Sequence, residues 1–316
     1  MVELARSLFL ASLAPNTRAS YHSGQKSFLN FCAHIGVTEP LPATSTDTCM
    51  WLASLAARSL RFTTIDNYRY ALHSLHTDLG LPSILDSDPQ VQRMVDGIKR
   101  VQGAHALRPP RLPVSPSVIR AVTPLLDTNV PDHRMLLAAM WVACTAMLRP
   151  GEIGVENPKQ PLRLLTLQHL TLTSSDPIAY SLRIPESKTD QLRAGSLVRI
   201  AGRATTQALR MYLVNRKPAP TPSSPLFARE DGSPMSHSYL IDNTLLLVQR
   251  ARVTLRDPQS GRTFAGVSFR KGGATALAEA GVPDRVTQEL GRWKSFCYKR
   301  YIHASELSLL KVFSDF

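Results

Sequence analysis

Residues 109–116 read Pro-Pro-Arg-Leu-Pro-Val-Ser-Pro, four prolines in eight positions. Proline has no N–H to donate and its ring clashes with the preceding turn, so no helix passes through this stretch; it favours an extended, semi-rigid connection. A chain of 316 residues interrupted in this way is expected to fold in two pieces: a first domain over 1–105, a linker over 106–112 and a second domain over 113–316. Each is long enough for its own core. The charge divides unevenly across the linker. The chain carries 37 Lys+Arg against 24 Asp+Glu, a net of +13. Residues 1–105 hold 9 basic and 8 acidic side chains, whereas residues 106–316 hold 28 and 16, a difference of +12. Such an excess favours a polyanionic partner, most simply nucleic acid, with the larger domain supplying most of the phosphate contacts. A solvated basic face is the alternative on charge alone.

Several classes are excluded early. Hydrophobic residues make up 43% and charged residues 19%, the composition of a globular chain. Cys32, Cys49, Cys144 and Cys297 form no CxxC pair, which argues against a disulfide scaffold or a zinc ribbon and for a reducing compartment. The longest apolar stretch, Met135 to Leu148, is too short for a membrane span, and Leu8-Phe9-Leu10-Ala11 lacks the positive flank of a signal peptide. The chain is therefore expected to be soluble, intracellular and without a membrane partner. No P-loop, HExxH, GxSxG or dinucleotide fingerprint is present, which removes ATP-dependent, zinc-hydrolase and Rossmann readings.

The first domain reads as a helical bundle. An N-cap at Asn16-Thr17 opens a run ending at Gly36, and further helices are expected over 46–58, 63–79 and 89–101. The second domain is mixed. Helices are expected over 117–126, 133–147, 205–215, 236–253, 270–280 and 284–291, with strands over 181–184 and 197–200 flanking a polar turn at 186–195. The fold class is thus mostly α with a small β-sheet, α+β.

The chemistry concentrates near the end. Val267-Ser268-Phe269-Arg270-Lys271-Gly272-Gly273-Ala274-Thr275 places Arg270 at the opening of a helix whose glycines would let a ligand approach the backbone, where free N–H groups favour an anion. Arg292, Lys294, Lys299 and Arg300 then surround Tyr298 and Tyr301. A phenol is a poor nucleophile at neutral pH, and cationic neighbours favour its ionised form.

These residues resemble the tyrosine recombinases, or phage-type integrases. The wording SFRxGGAT and LGRW…YxRYI is most similar to the eukaryotic mobile-element branches, the DIRS-class retrotransposons and Cryptons. Three other segments share the resemblance: Met147-Leu148-Arg149-Pro150-Gly151-Glu152, Pro185-Glu186-Ser187-Lys188-Thr189-Asp190, and the opening Ala14-Pro15-Asn16-Thr17-Arg18. It spans nearly the whole chain, and its specificity lies in the order and spacing of short motifs. The resemblance implies a helical, SAM-like core-binding domain and a catalytic domain that enclose duplex DNA. It implies strand cleavage through a 3′-phosphotyrosine, without metal or cofactor. Arg149 and Arg270 would clamp the scissile phosphate, Lys188 would act as general acid, Arg292 would contact the phosphate and Tyr301 would be the nucleophile. Tyr301 is preferred to Tyr298 because it precedes Ile302. Glu152, Val267 and Trp293 occupy supporting positions, with Glu152 orienting arginine. Arg108, Arg111, Lys271, Lys294, Lys299 and Arg300 are candidates for other DNA contacts. The tail from Ser305 to Phe316 would dock on a neighbouring protomer, giving a dimer on each site and a tetramer in synapsis. A eukaryotic mobile-element origin would place the protein in the nucleus; otherwise it would be cytoplasmic or with the nucleoid.

Two positions depart from the family's pattern. Val267 stands where a histidine is usual, and Arg292 where His or Trp is usual, with Trp293 beside it. Valine can neither accept nor donate a proton. The expected function is integration or excision of a mobile element; the alternative is a recombinase-derived DNA-binding protein that cleaves weakly or not at all. A type IB topoisomerase-like enzyme is a more distant rival. A DDE-type transposase is disfavoured for want of a cluster of three carboxylates.

Overall fold

Prolines and capping hydroxyls set where most of the helices begin. The computed structural model describes residues 1–82, 88–103, 111–159, 161, 164–185, 194–216, 219–253 and 263–301. The chain divides into two compact units, Met1–Arg108 and Pro109–Phe316.

The described residues of the first unit form five helices: α1 (Val2–Ala11), α2 (Pro15–His34), α3 (Ser45–Ala57), α4 (Phe62–Asp78) and α5 (Pro89–Gln102). Pro15 itself occupies the first turn of α2, so Asn16 and Thr17 lie inside the helix and the expected cap is displaced to Ala14. Thr44 caps α3 by accepting from the Asp47 N–H at 3.1 Å, and Asp88 caps α5 by accepting from the Gln90 N–H at 2.7 Å. Phe28, Trp51, Leu52, Leu55, Ile65, Leu72, Val91 and Val95 form the core, with Phe28 edge-on to Trp51 at 5.2 Å. Helices α2 and α4 cross at Gly24, where an added Cβ would lie 2.7 Å from the Ala71 Cβ. Buried His76 joins separate segments: one ring nitrogen pairs with the Ala43 N–H at 3.2 Å and the other with the Pro82 carbonyl at 2.7 Å.

The second unit is built around α7 (Pro131–Thr145), in which every residue from Met135 to Cys144 is buried. That is why this stretch is uniformly apolar: it is a central core helix. Around it lie α6 (Pro116–Val122), the single turn α8 (Pro150–Ile153), α9 (Arg203–Val214), α10 (His237–Arg250), α11 (Ser268–Glu279) and α12 (Asp284–Leu290), followed by a 3-10 helix over Phe296–Arg300. Helices α9 and α11 pack directly on α7. A three-stranded antiparallel sheet runs in the order β1 (Leu170–Ser175), β2 (Ile178–Ile184), β3 (Ser196–Ile200). Leu182 pairs with both Leu170 and Val198, and the buried face carries Tyr180, Leu182, Ile184, Val198 and Ile200. Strand β1 was not among the expected strands. Its residues Thr171, Leu172 and Thr173 are all exposed, so the alternation that marks a half-buried strand is missing. No described helix is long and apolar enough to cross a membrane. The architecture is mostly α with one small sheet.

Helix α11 corrects one expectation. It starts at Ser268, two residues before Arg270, and its glycines face the protein's own backbone. A Cβ on Gly272 would collide with the Val114 carbonyl, and one on Gly273 with the Cys144 carbonyl. The two glycines therefore let α11 approach the α7 end and the segment before α6; they do not open the helix to a ligand.

Candidate active site

Arg270 projects from the first turns of α11 and is only 1% exposed. Its Nη1 donates to the Met147 carbonyl at 2.6 Å and its Nη2 to the Gly291 carbonyl. The two acceptors lie in turns of different kinds. Met147, in the turn that closes α7, adopts a φ of 47°. Gly291 lies directly under the Trp293 ring, which leaves no room for a Cβ. The guanidinium carbon sits 4.2 Å from the centroid of Trp293 and 5.8 Å from that of Tyr301. Burial, then the Arg149 and Arg292 charges, lower the Arg270 pKa to about 10 against the opposing pull of Glu152 and Tyr301, so the side chain remains charged at neutral pH. Its Nε is buried and has no partner among the described residues.

Glu152 joins two further arginines. Its Oε1 accepts from Arg149 Nη1 at 2.7 Å, and its Oε2 accepts from the Arg149 backbone N–H at 2.9 Å and from Arg292 Nη2 at 2.8 Å. The bond to the Arg149 backbone also caps α8. Burial alone would raise the Glu152 pKa, but Arg292 and Arg149 outweigh it and hold the carboxyl below its usual range. Arg292, at a φ of 57°, reaches from the turn after α12 and also donates from Nη1 to Ser196 Oγ at 3.3 Å, at the start of β3. Its Nε, like that of Arg270, is buried without a partner among the described residues. The side chains of Arg149 and Arg292 are 24% and 15% exposed, so the cluster is sheltered and still open to a ligand.

The two tyrosines are separated by their surroundings. Tyr298 is buried and its hydroxyl donates to Asp284 at 2.7 Å, which together with burial raises its pKa. Tyr301 is half-buried, and its ring lies 5.2 Å from Trp293. Its backbone N–H donates to the Tyr298 carbonyl at 2.8 Å and its own carbonyl accepts from Thr275 Oγ1 at 3.3 Å.

Arg149, Glu152, Arg270, Arg292, Trp293 and Tyr301 are thus brought together from four separate segments. Val267 is half-buried at the N-terminal boundary of α11, where its carbonyl accepts from the Lys271 N–H. Lys271 is only 5% exposed, which sets it apart from Lys294 and Lys299 on the open surface. Arg111 is half-buried and donates to Thr263 Oγ1. Lys188, Arg108, the Arg300 side chain and the tail from 302 to 316 lie outside the described residues. The sequence alone does not single out Ser196 or Thr275, nor the Met147 and Gly291 carbonyls.

No protein-family model matches the chain, and a search of curated proteins finds no match. Solved structures do. The XerH site-specific recombinase bound to difH substrate, in a pre-cleavage complex, is similar with a TM-score of 0.62 at 17% identity, over 94% of this chain and 78% of that one. The Tn1549 transposon integrase in complex with transposon right end DNA is similar with a TM-score of 0.62 at 16% identity, over 96% and 94%. A lambda integrase dimer bound to a COC′ core site is similar with a TM-score of 0.61 at 14% identity, over 92% and 89%. Across both of its units, the chain has the α+β fold of the tyrosine recombinases.

Proposed function

We propose that this chain cuts and rejoins duplex DNA at specific sites, with Tyr301 as the nucleophile. The phenol oxygen attacks the scissile phosphorus in line, forming a phosphotyrosine at the 3′ end. The bond from phosphorus to the 5′ oxygen breaks, and a 5′-hydroxyl leaves. Arg149, Arg270 and Arg292 neutralise the charge that builds on the phosphoryl oxygens. Lys188 gives the proton to the departing oxygen. Rejoining runs the same steps in reverse, so no high-energy cofactor is consumed.

The observation that carries this reading is the pair of buried Nε–H groups of Arg270 and Arg292, without partners among the described residues, within one cluster beside Tyr301. Buried donors without acceptors are costly, and phosphate oxygens would supply them. Among the described residues, three guanidiniums against one carboxylate also leave a surplus of two positive charges (3 − 1), which favours the negative charge of a pentavalent phosphoryl transition state. The similarity to DNA-bound recombinases and integrases supports duplex DNA as the partner. In this reading the Met1–Arg108 unit is the core-binding domain, the tail after Tyr301 docks on a neighbouring protomer in a tetramer, and the biological setting is a mobile element.

A second reading is favoured by Val267. No titratable atom stands three residues before Arg270, so a DNA-binding descendant with weak cleavage is the rival. The two are separated with a pool of nicked duplexes, randomised around the nick, from which the cleaved fragment diffuses away. The proposed enzyme traps itself as a covalent adduct on denaturing gels, and EDTA does not prevent it. A folded protein that shifts duplex DNA on native gels and forms no adduct is the binding-only descendant.

A further inference from the structure

We propose that Thr275 is a positioning residue for the nucleophile, acting by holding the Tyr301 backbone; this rests on the cleavage role proposed above. Thr275, on α11, is 3% exposed, and its Oγ1 donates to the Tyr301 carbonyl at 3.3 Å. The same helix carries Arg270 five residues earlier, about 7.5 Å along its axis at 1.5 Å per residue. One rigid element therefore holds both the most buried arginine of the cluster and the main chain of the tyrosine.

The remaining contacts support the same assignment. The 3-10 helix before Tyr301 is fastened at its middle by the Tyr298–Asp284 bond and at its end by Thr275. Between those points the Tyr301 ring leans on Trp293, which itself lies against Arg270. Neither the ring contact nor the Tyr298 bond fixes the backbone at residue 301; the Thr275 hydroxyl and the Tyr301 N–H do. Attack on phosphorus requires near-collinear alignment, and a displacement of about 1 Å at the reacting atoms can cost about a hundredfold in rate. A hydroxyl that removes one freedom of the nucleophile's main chain acts on that alignment without touching DNA.

The test compares wild type, Thr275→Val and Thr275→Ser in single-turnover adduct formation at saturating nicked DNA. Valine keeps the shape and loses the donor; serine keeps the donor. The expected result is about tenfold slower adduct formation for Thr275→Val, with DNA affinity unchanged and the rate recovered by Thr275→Ser. A second arm removes the tyrosine. In Tyr301→Phe, hydroperoxide anion serves as an external nucleophile, forming a bond to phosphorus as the 5′ oxygen leaves. Adding Thr275→Val to that background should leave peroxide cleavage unchanged, which also shows that the variant is folded. Equal loss in the peroxide arm would mean that Thr275 supports the arginine helix and would overturn the positioning role. So would a Thr275→Val variant as fast as wild type. If wild type itself forms no adduct, and Tyr301→Phe does not cleave with peroxide, the cleavage reading falls and the Thr275 role falls with it.

Discussion

Arg292 and Glu152 are 140 residues apart in sequence, and their side chains meet at 2.8 Å. The same carboxylate holds Arg149, so a single buried acid joins the turn after α7 to the turn after α12. The site is closed by this ion pair network rather than by any one element, and its consequences can be measured.

The first concerns pH. The folded Glu152 carboxyl titrates below its ordinary value of 4.5, so the network's contribution is fully present above that value and is lost as pH falls below it. Glu152→Gln should therefore destabilise the protein at neutral pH by about 3 kcal/mol, the low end of the cost of removing one partner of a buried pair. The gap from wild type should close below pH 4.5. Urea denaturation across pH measures both; a gap independent of pH would contradict the ionised network.

The second concerns binding against cleavage. In the proposed cleavage, Arg149→Ala combined with Arg270→Ala would remove groups directed at one phosphate among many. Cleavage should fall by several orders of magnitude, while affinity for duplex DNA falls little. Each phosphate contact contributes about −0.9 to the slope of log affinity against log salt, so the slope should change by no more than about 2. Filter binding over a salt series, beside adduct formation, checks this. Equal losses in both would count against the clamp.

The third separates the tyrosines. Tyr298→Phe loses a hydrogen bond to Asp284 and should lower the thermal midpoint while retaining adduct formation. Tyr301→Phe should keep its midpoint and its DNA affinity and lose the adduct. The reverse pattern would place the nucleophile at Tyr298.

The fourth addresses Val267. An imidazole there would assist proton transfer, a contribution typically worth about 100- to 10,000-fold. Wild type is expected to react slowly and Val267→His to react faster on the same nicked substrate, with some stability lost because an apolar group is replaced. A fast wild type slowed by Val267→His would mean that another group carries the proton.

Much of this organisation was legible in the sequence, for identifiable reasons. The buried run through α7 and the proline stretch at 109–116 are strong local signals. The arginines stand out in the sequence because short motifs surround them. What could not be read was set by tertiary contact. The close approach of Gly272 to the Val114 carbonyl depends on a partner far away in sequence, so local reasoning turned packing glycines into a ligand cradle. Ser196 and Thr275 looked like ordinary hydroxyl residues until folding placed them beside Arg292 and Tyr301. Strand β1, with its exposed middle, carried no periodic signal.

The proposed cleavage requires a covalent bond between DNA and Tyr301, which mass spectrometry of the digested adduct detects directly. Wild-type protein trapped on nicked duplex, treated with nuclease and protease, should yield one modified peptide bearing a nucleotide through its 3′ phosphate on Tyr301, with a 5′-hydroxyl on the released strand. A nucleotide on any other residue, a 5′ linkage, or unmodified Tyr301 peptide from a preparation that has cleaved its DNA would contradict the account.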